Sequence, residues 1–130
     1  MIEEGDNLAG TSTSNKDYEE RREKLIAAID SLKPLVEDVA KSLYENPELG
    51  LKEFHALSKL TGILESEGFA VEKEIAGMPT AFRAEIGDKG PRIAFMAEYD
   101  ALPAIGHGCG HNLMAATALA AGIGMKNAFP

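Results

Sequence analysis

The sequence predicts a layered α/β fold with elements in the order ααβββα. Three observations predict it. Leu25, Ile29, Leu32, Val36, Val39 and Leu43 recur at spacings of four and three, the apolar stripe of an amphipathic helix. Phe82, Ala84 and Ile86 alternate with Arg83 and Glu85, as on a strand with one buried face. Ile93 to Ala97 is apolar on both faces, as in a central strand covered on both sides.

Residues 1–16 are polar, with Gly5, Gly10 and a Thr-Ser-Thr-Ser-Asn run, and read as a flexible tail preceding one unit over 17–130. The first helical stretch starts at Asp17. Pro34 falls inside it, which predicts a kink or break between Asp30 and Pro34, and Asn46-Pro47 ends it. A second helix is expected from about Leu51 to Glu67, with Phe54, Leu57, Thr61 and Leu64 inward and Gly68 as a left-handed cap. Phe69, Val71 and Ile75 give a strand near an edge, since Lys73 interrupts the apolar face. A turn at 87–90 leads to Pro91 and the segment 93–97. The small residues from Ala115 to Gly122 predict a final helix packed closely on the sheet. The unit looks cut short, because no further strand follows that helix.

Composition excludes several classes of function. The 130 residues are 45% hydrophobic and 26% charged, ordinary for a globular domain, and the net charge is −8. Such a balance argues against nucleic-acid binding, which needs a basic face, and against docking on an anionic membrane. No apolar run is long enough to span a bilayer, and the acidic N-terminus does not read as a secretory signal. A single cysteine permits no internal disulfide, which suits a reducing compartment and predicts a cytoplasmic protein.

The chemistry concentrates in Ala97–Asn112, AEYDALPAIGHGCGHN. It holds two of the three histidines and the one cysteine, each preceded by glycine. His107, Cys109 and His111 can converge as ligands only in an extended or looped segment, because on a helix i and i+2 do not face each other. Gly106, Gly108 and Gly110 permit unusual backbone angles. Thiolate with imidazole suits Zn²⁺, and imidazole with carboxylate also suits Mn²⁺; Glu98 and Asp100 offer carboxylates. A histidine could equally activate Cys109 as a nucleophile, or the glycine loop could carry its histidines incidentally. Spacing alone does not separate these readings.

This stretch, with ENPELGLKEF (45–54) and AGMPTAF (76–82), resembles the metal-dependent amidohydrolases and peptidases of the aminoacylase and carboxypeptidase type. Within them it is most similar to the branch of aminobenzoyl-glutamate hydrolases, hippurate and indole-acetyl-amino-acid hydrolases and related dipeptidases. The likeness runs in family order from about Leu25 to Lys126. It implies the N-terminal portion of a layered α/β metallohydrolase catalytic domain. It also implies a two-metal site holding Zn²⁺ or Mn²⁺, with Cys109 and His111 as ligands and Asp100 as the supporting acid. Glu98, His107 and Asn112 would stand behind those ligands, His107 shaping the loop, while His55 should be a surface residue. The substrate implied is a small N-acyl amino acid or dipeptide, aminobenzoyl-glutamate-like or β-alanyl dipeptide-like.

The sequence departs from that pattern in extent. Family members are much longer; they dimerise and close over substrate through a further domain, and take their base from a glutamate pair further along. After His111 this sequence has no histidine, glutamate or aspartate. The resemblance thus implies part of a ligand shell without a base, and a 130-residue chain inactive alone. A cysteine-nucleophile hydrolase and a non-catalytic fragment or interaction module are the rival expectations.

Overall fold

A computed structural model describes residues 15–130. The tail expected over 1–16 lies outside the described residues except for its last two, which open the first helix. The elements are α1 (Asn15–Asp30), α2 (Lys33–Glu45), α3 (Phe54–Ser66), β1 (Ala70–Lys73), a 3₁₀ turn (Ile75–Gly77), β2 (Phe82–Glu85) and α4 (His111–Ala128). The class is α/β, as the sequence predicts.

The helical breaks follow local chemistry. α1 stops at Asp30, and Pro34 sits in the first turn of α2, where its missing N–H removes no hydrogen bond. α2 ends where the Asn46 side-chain amide donates to the Ser42 carbonyl at 2.8 Å, ahead of Pro47. At the end of α3, Gly68 takes φ 85°. Its N–H donates to Glu65 O at 3.1 Å, and the Phe69 N–H donates to Leu64 O at 3.0 Å. These two bonds form a Schellman motif, which needs the left-handed residue that glycine supplies.

α3 buries Ala56, Leu60, Thr61 and Leu64. Phe54, expected on that inner face, is 57% exposed. The helix begins at Phe54 rather than near Leu51, so Phe54 lies about 200° around the axis from Ala56 and faces outward. The residue before it, Glu53, is turned inward instead and is 7% exposed.

β1 and β2 pair antiparallel, with Val71 opposite Ala84, and Phe69, Val71, Phe82 and Ala84 lean on the core. The core joins Val39 and Leu43 of α2, Leu60 and Leu64 of α3, and Ala115, Ala116, Leu119 and Ile123 of α4. Instead of packing on the sheet, as expected, α4 packs chiefly on α1 and α2, because its small residues admit another helix closely. A Cβ at Gly124 would stand 2.7 Å from Ile29 Cγ1.

The third strand does not form. Residues 91–100 carry no strand, and the sheet among the described residues has only β1 and β2. A strand requires a hydrogen-bonded neighbour, and none flanks this segment. Rather than being covered on both faces, Ile93 is 65%, Phe95 45% and Met96 83% exposed. Ala94, Phe95 and Met96 share a shallow apolar groove with Met114, Thr117, Ala118 and Ala121 of α4. No described helix is long and apolar enough to cross a membrane.

Candidate functional site

Beyond Ala97 the same extended chain is held firmly. Ala101 N–H donates to Glu48 O at 2.7 Å. The Glu48 carboxylate in turn accepts the His55 and Ala56 N–H groups at 2.9 and 3.0 Å, capping the start of α3. One residue of ENPELGLKEF thus ties the first turn of α3 to the segment carrying Asp100. From Leu102 the chain makes a tight turn closed by Leu102 N–H to Gly106 O (2.9 Å) and Gly106 N–H to Leu102 O (3.0 Å). Cys109 lies in the next turn, and α4 opens at His111 behind Gly110, whose φ of 81° places it in the left-handed region.

This path puts His111 between two acids. Its Nδ1 is 2.7 Å from Asp100 Oδ1 and its Nε2 is 2.9 Å from Glu98 Oε2. Carboxylates accept but do not donate, so each contact requires a proton on the facing nitrogen. A neutral ring supplies one proton. If it stays with Asp100, the nearer acid, the Nε2 lone pair faces a Glu98 oxygen with no proton between them. Asp100 then fixes the orientation of the His111 ring through Nδ1.

The other expected residues lie apart from that clamp. Cys109 is exposed, and neither histidine beside it in sequence is hydrogen-bonded to its thiol. His107 is 7% exposed, and its Nδ1 has no hydrogen-bond partner. Burial lowers its pKa, outweighing a hydrogen bond to the Leu43 backbone carbonyl. Asn112 is also buried and points away from the clamp, its amide donating to Ala40 O at 3.0 Å and tying α4 to α2. His55 is exposed, 3.0 Å from Ser42 Oγ. Among the described residues no group of three or more His, Cys, Asp or Glu is arranged to hold a metal ion. The donors of Cys109 and His111 fit a soft divalent cation in kind.

A second constellation escapes sequence reasoning. The Thr80 hydroxyl donates to Glu53 Oε2, and the Tyr99 phenol donates to the Thr80 carbonyl. The Tyr99 ring stacks on Phe82, centroids 5.9 Å apart at 27°. Burial first, and the charge of Glu53 second, push the phenol up to about 12. Periodicity gives no sign of this cluster, because its members come from three separated segments. The one signal in the sequence is that each of the three motifs contributes one member.

Comparison with known proteins supplies the relationship. The chain is 36% identical over 130 residues to Xaa-Arg dipeptidase of Mus musculus, covering 92% of this chain and 30% of that one. It is 35% identical over 116 residues to a p-aminobenzoyl-glutamate hydrolase subunit of Escherichia coli (strain K12), covering 76% and 24%. It is 30% identical over 106 residues to thermostable carboxypeptidase 2 of Saccharolobus solfataricus, covering 69% and 27%. No family model matches the chain. The chain belongs to the family of amidohydrolases and peptidases that these relatives represent, and it spans 30% or less of their length.

Proposed function

From that membership we propose that the chain is part of the catalytic domain of a metal-dependent amidohydrolase acting on a small N-acyl amino acid or dipeptide in the cytoplasm. The observation that carries the reading is the Asp100–His111–Glu98 clamp, whose histidine lies two residues beyond Cys109. Cys109 and His111 would hold Zn²⁺ or Mn²⁺, and Asp100 would fix the imidazole so that Nε2 faces the ion. The bound metal would polarise the scissile carbonyl and acidify a water. Glu98, 59% exposed at its side chain, would yield Nε2 to the ion. Residues 17–130 would be one unit, completed in longer relatives by the remaining ligands, the base and a dimerising domain.

A cysteine nucleophile is less well supported, because an activated thiol needs a base within hydrogen-bond reach. Both ring nitrogens of His111 are engaged by carboxylates instead. The experiment uses a longer form of this enzyme that includes the remaining domain. Hydrolysis of aminobenzoyl-glutamate or a β-alanyl dipeptide should vanish on chelation and return with Mn²⁺ or Zn²⁺. Activity that survives complete metal removal but is lost on thiol alkylation would establish the nucleophile reading.

A further inference from the structure

Glu53 is a buried acid with no part in the chemistry proposed above. A carboxylate only 7% exposed is costly to bury unless partners offset its lost hydration. It does not cap α3, which has no side-chain cap from this position. That role falls to Glu48. Its partner is the hydroxyl of Thr80, itself 3% exposed.

The arrangement beyond Thr80 gives this burial a use. The Thr80 carbonyl receives the Tyr99 phenol, while Phe82 supports the Tyr99 ring. Neighbours on an extended segment project to opposite sides. Tyr99 points into the body of the domain, so Glu98 and Asp100 point the other way, and those two grip His111. Ala101, tied to Glu48, closes the far end of the pinned stretch. The segment has no β-ladder to fix it, so the phenol of Tyr99 and the N–H of Ala101 set where both acids stand. The upward shift of the Tyr99 phenol fits a proton kept in place next to a buried carboxylate.

We infer that Glu53, Thr80 and Tyr99 form a positioning relay: Glu53 orients Thr80, Thr80 anchors Tyr99, and Tyr99 aims Asp100 and Glu98 at His111. The relay deepens the proposed metal-site reading and rests on it for its functional meaning. Its geometric content can be tested without activity.

The experiment is nitrogen-15 NMR of the His111 imidazole in the 130-residue chain, above the imidazole titration range, with Zn²⁺ binding measured in parallel by calorimetry. Wild type should show one tautomer, with the proton on Nδ1 toward Asp100. Thr80→Val keeps the side-chain shape but removes the hydroxyl, and Tyr99→Phe removes the phenol. Both should mix the tautomers and weaken Zn²⁺ binding about tenfold, the usual minimum for loss of a group supporting a ligand. Thr80→Ser should restore the single tautomer. Leu64→Ala, a core change outside the relay, should lower Tm and leave the tautomer alone. The relay is wrong if Thr80→Val leaves His111 unchanged, or if Leu64→Ala disturbs it equally. Absence of Zn²⁺ binding in wild type would instead overturn the metal reading, and the tautomer comparison would still decide the relay.

Discussion

Residues 93–96 and 98–101 are two halves of one extended stretch, yet they are held very differently. The first half exposes Ile93, Phe95 and Met96 and joins no ladder. The second is pinned through the Tyr99 phenol and the Ala101 N–H, and it carries both acids that grip His111. The contrast teaches that an extended segment can be placed without a sheet, if single polar anchors reach rigid elements on either side. It also separates what the fold needs from what the site needs. The stability of the domain sits in α2, α3 and α4, whereas the geometry of the site sits in a few hydrogen bonds.

That division makes mutational effects unequal. Leu60→Ala, at a residue 1% exposed in the core, should cost about 2–5 kcal/mol in chemical denaturation. A loss near that of a surface change would mean that α3 is not a core element. Glu48→Ala should cost about 1–2 kcal/mol, since it strips two N–H groups at the start of α3 of their acceptor. The same variant should raise hydrogen exchange at His55 and Ala56 before it does so at Leu60, and uniform loss of protection would contradict the capping role.

The pinned half also predicts a response to alkali. The folded Tyr99 phenol ionises at about 12 against an ordinary 10.0. The unfolded chain therefore loses this proton first, and the stabilisation is intact below pH 10 and drains away as pH rises towards 12. Ultraviolet titration of wild type minus Tyr99→Phe should show one tyrosinate step at about 12. A difference step at 10 would mean that the phenol is not held as described. Smallest of all, Met96→Ser in the exposed half should change stability by no more than about 0.5 kcal/mol. A cost of several times that would show the segment packed against something in solution.

Much of the helical frame is legible in the sequence. The break before Pro34, the end at Asn46-Pro47 and the Gly68 cap are local effects of residues with restricted or permissive backbones, so spacing reveals them. The strands β1 and β2 are legible by alternation, while their pairing with each other is seen only in the structure. The segment 93–97 misleads because a doubly apolar run reports a need for cover, whereas a strand also requires a neighbour, which no periodicity contains. Phe54, expected inward, faces out because the helix starts three residues later than its apolar pattern suggests. At the site, Cys109, His111, Asp100 and Glu98 stand out by residue type and glycine spacing. Glu53, Thr80 and Tyr99 do not, because hydrogen bonds spanning 19 and 27 residues leave no local trace.

The central claim is that Cys109 and His111 donate to one cation, with Asp100 holding the ring. Cobalt(II) titration of the purified 130-residue chain tests it most directly, because thiolate bound to cobalt gives a near-ultraviolet charge-transfer band. The account predicts that band in wild type, its loss in Cys109→Ala, and its weakening in Asp100→Asn, alongside no turnover of aminobenzoyl-glutamate by the chain alone. No band in wild type, or cobalt binding untouched by Cys109→Ala, would contradict it.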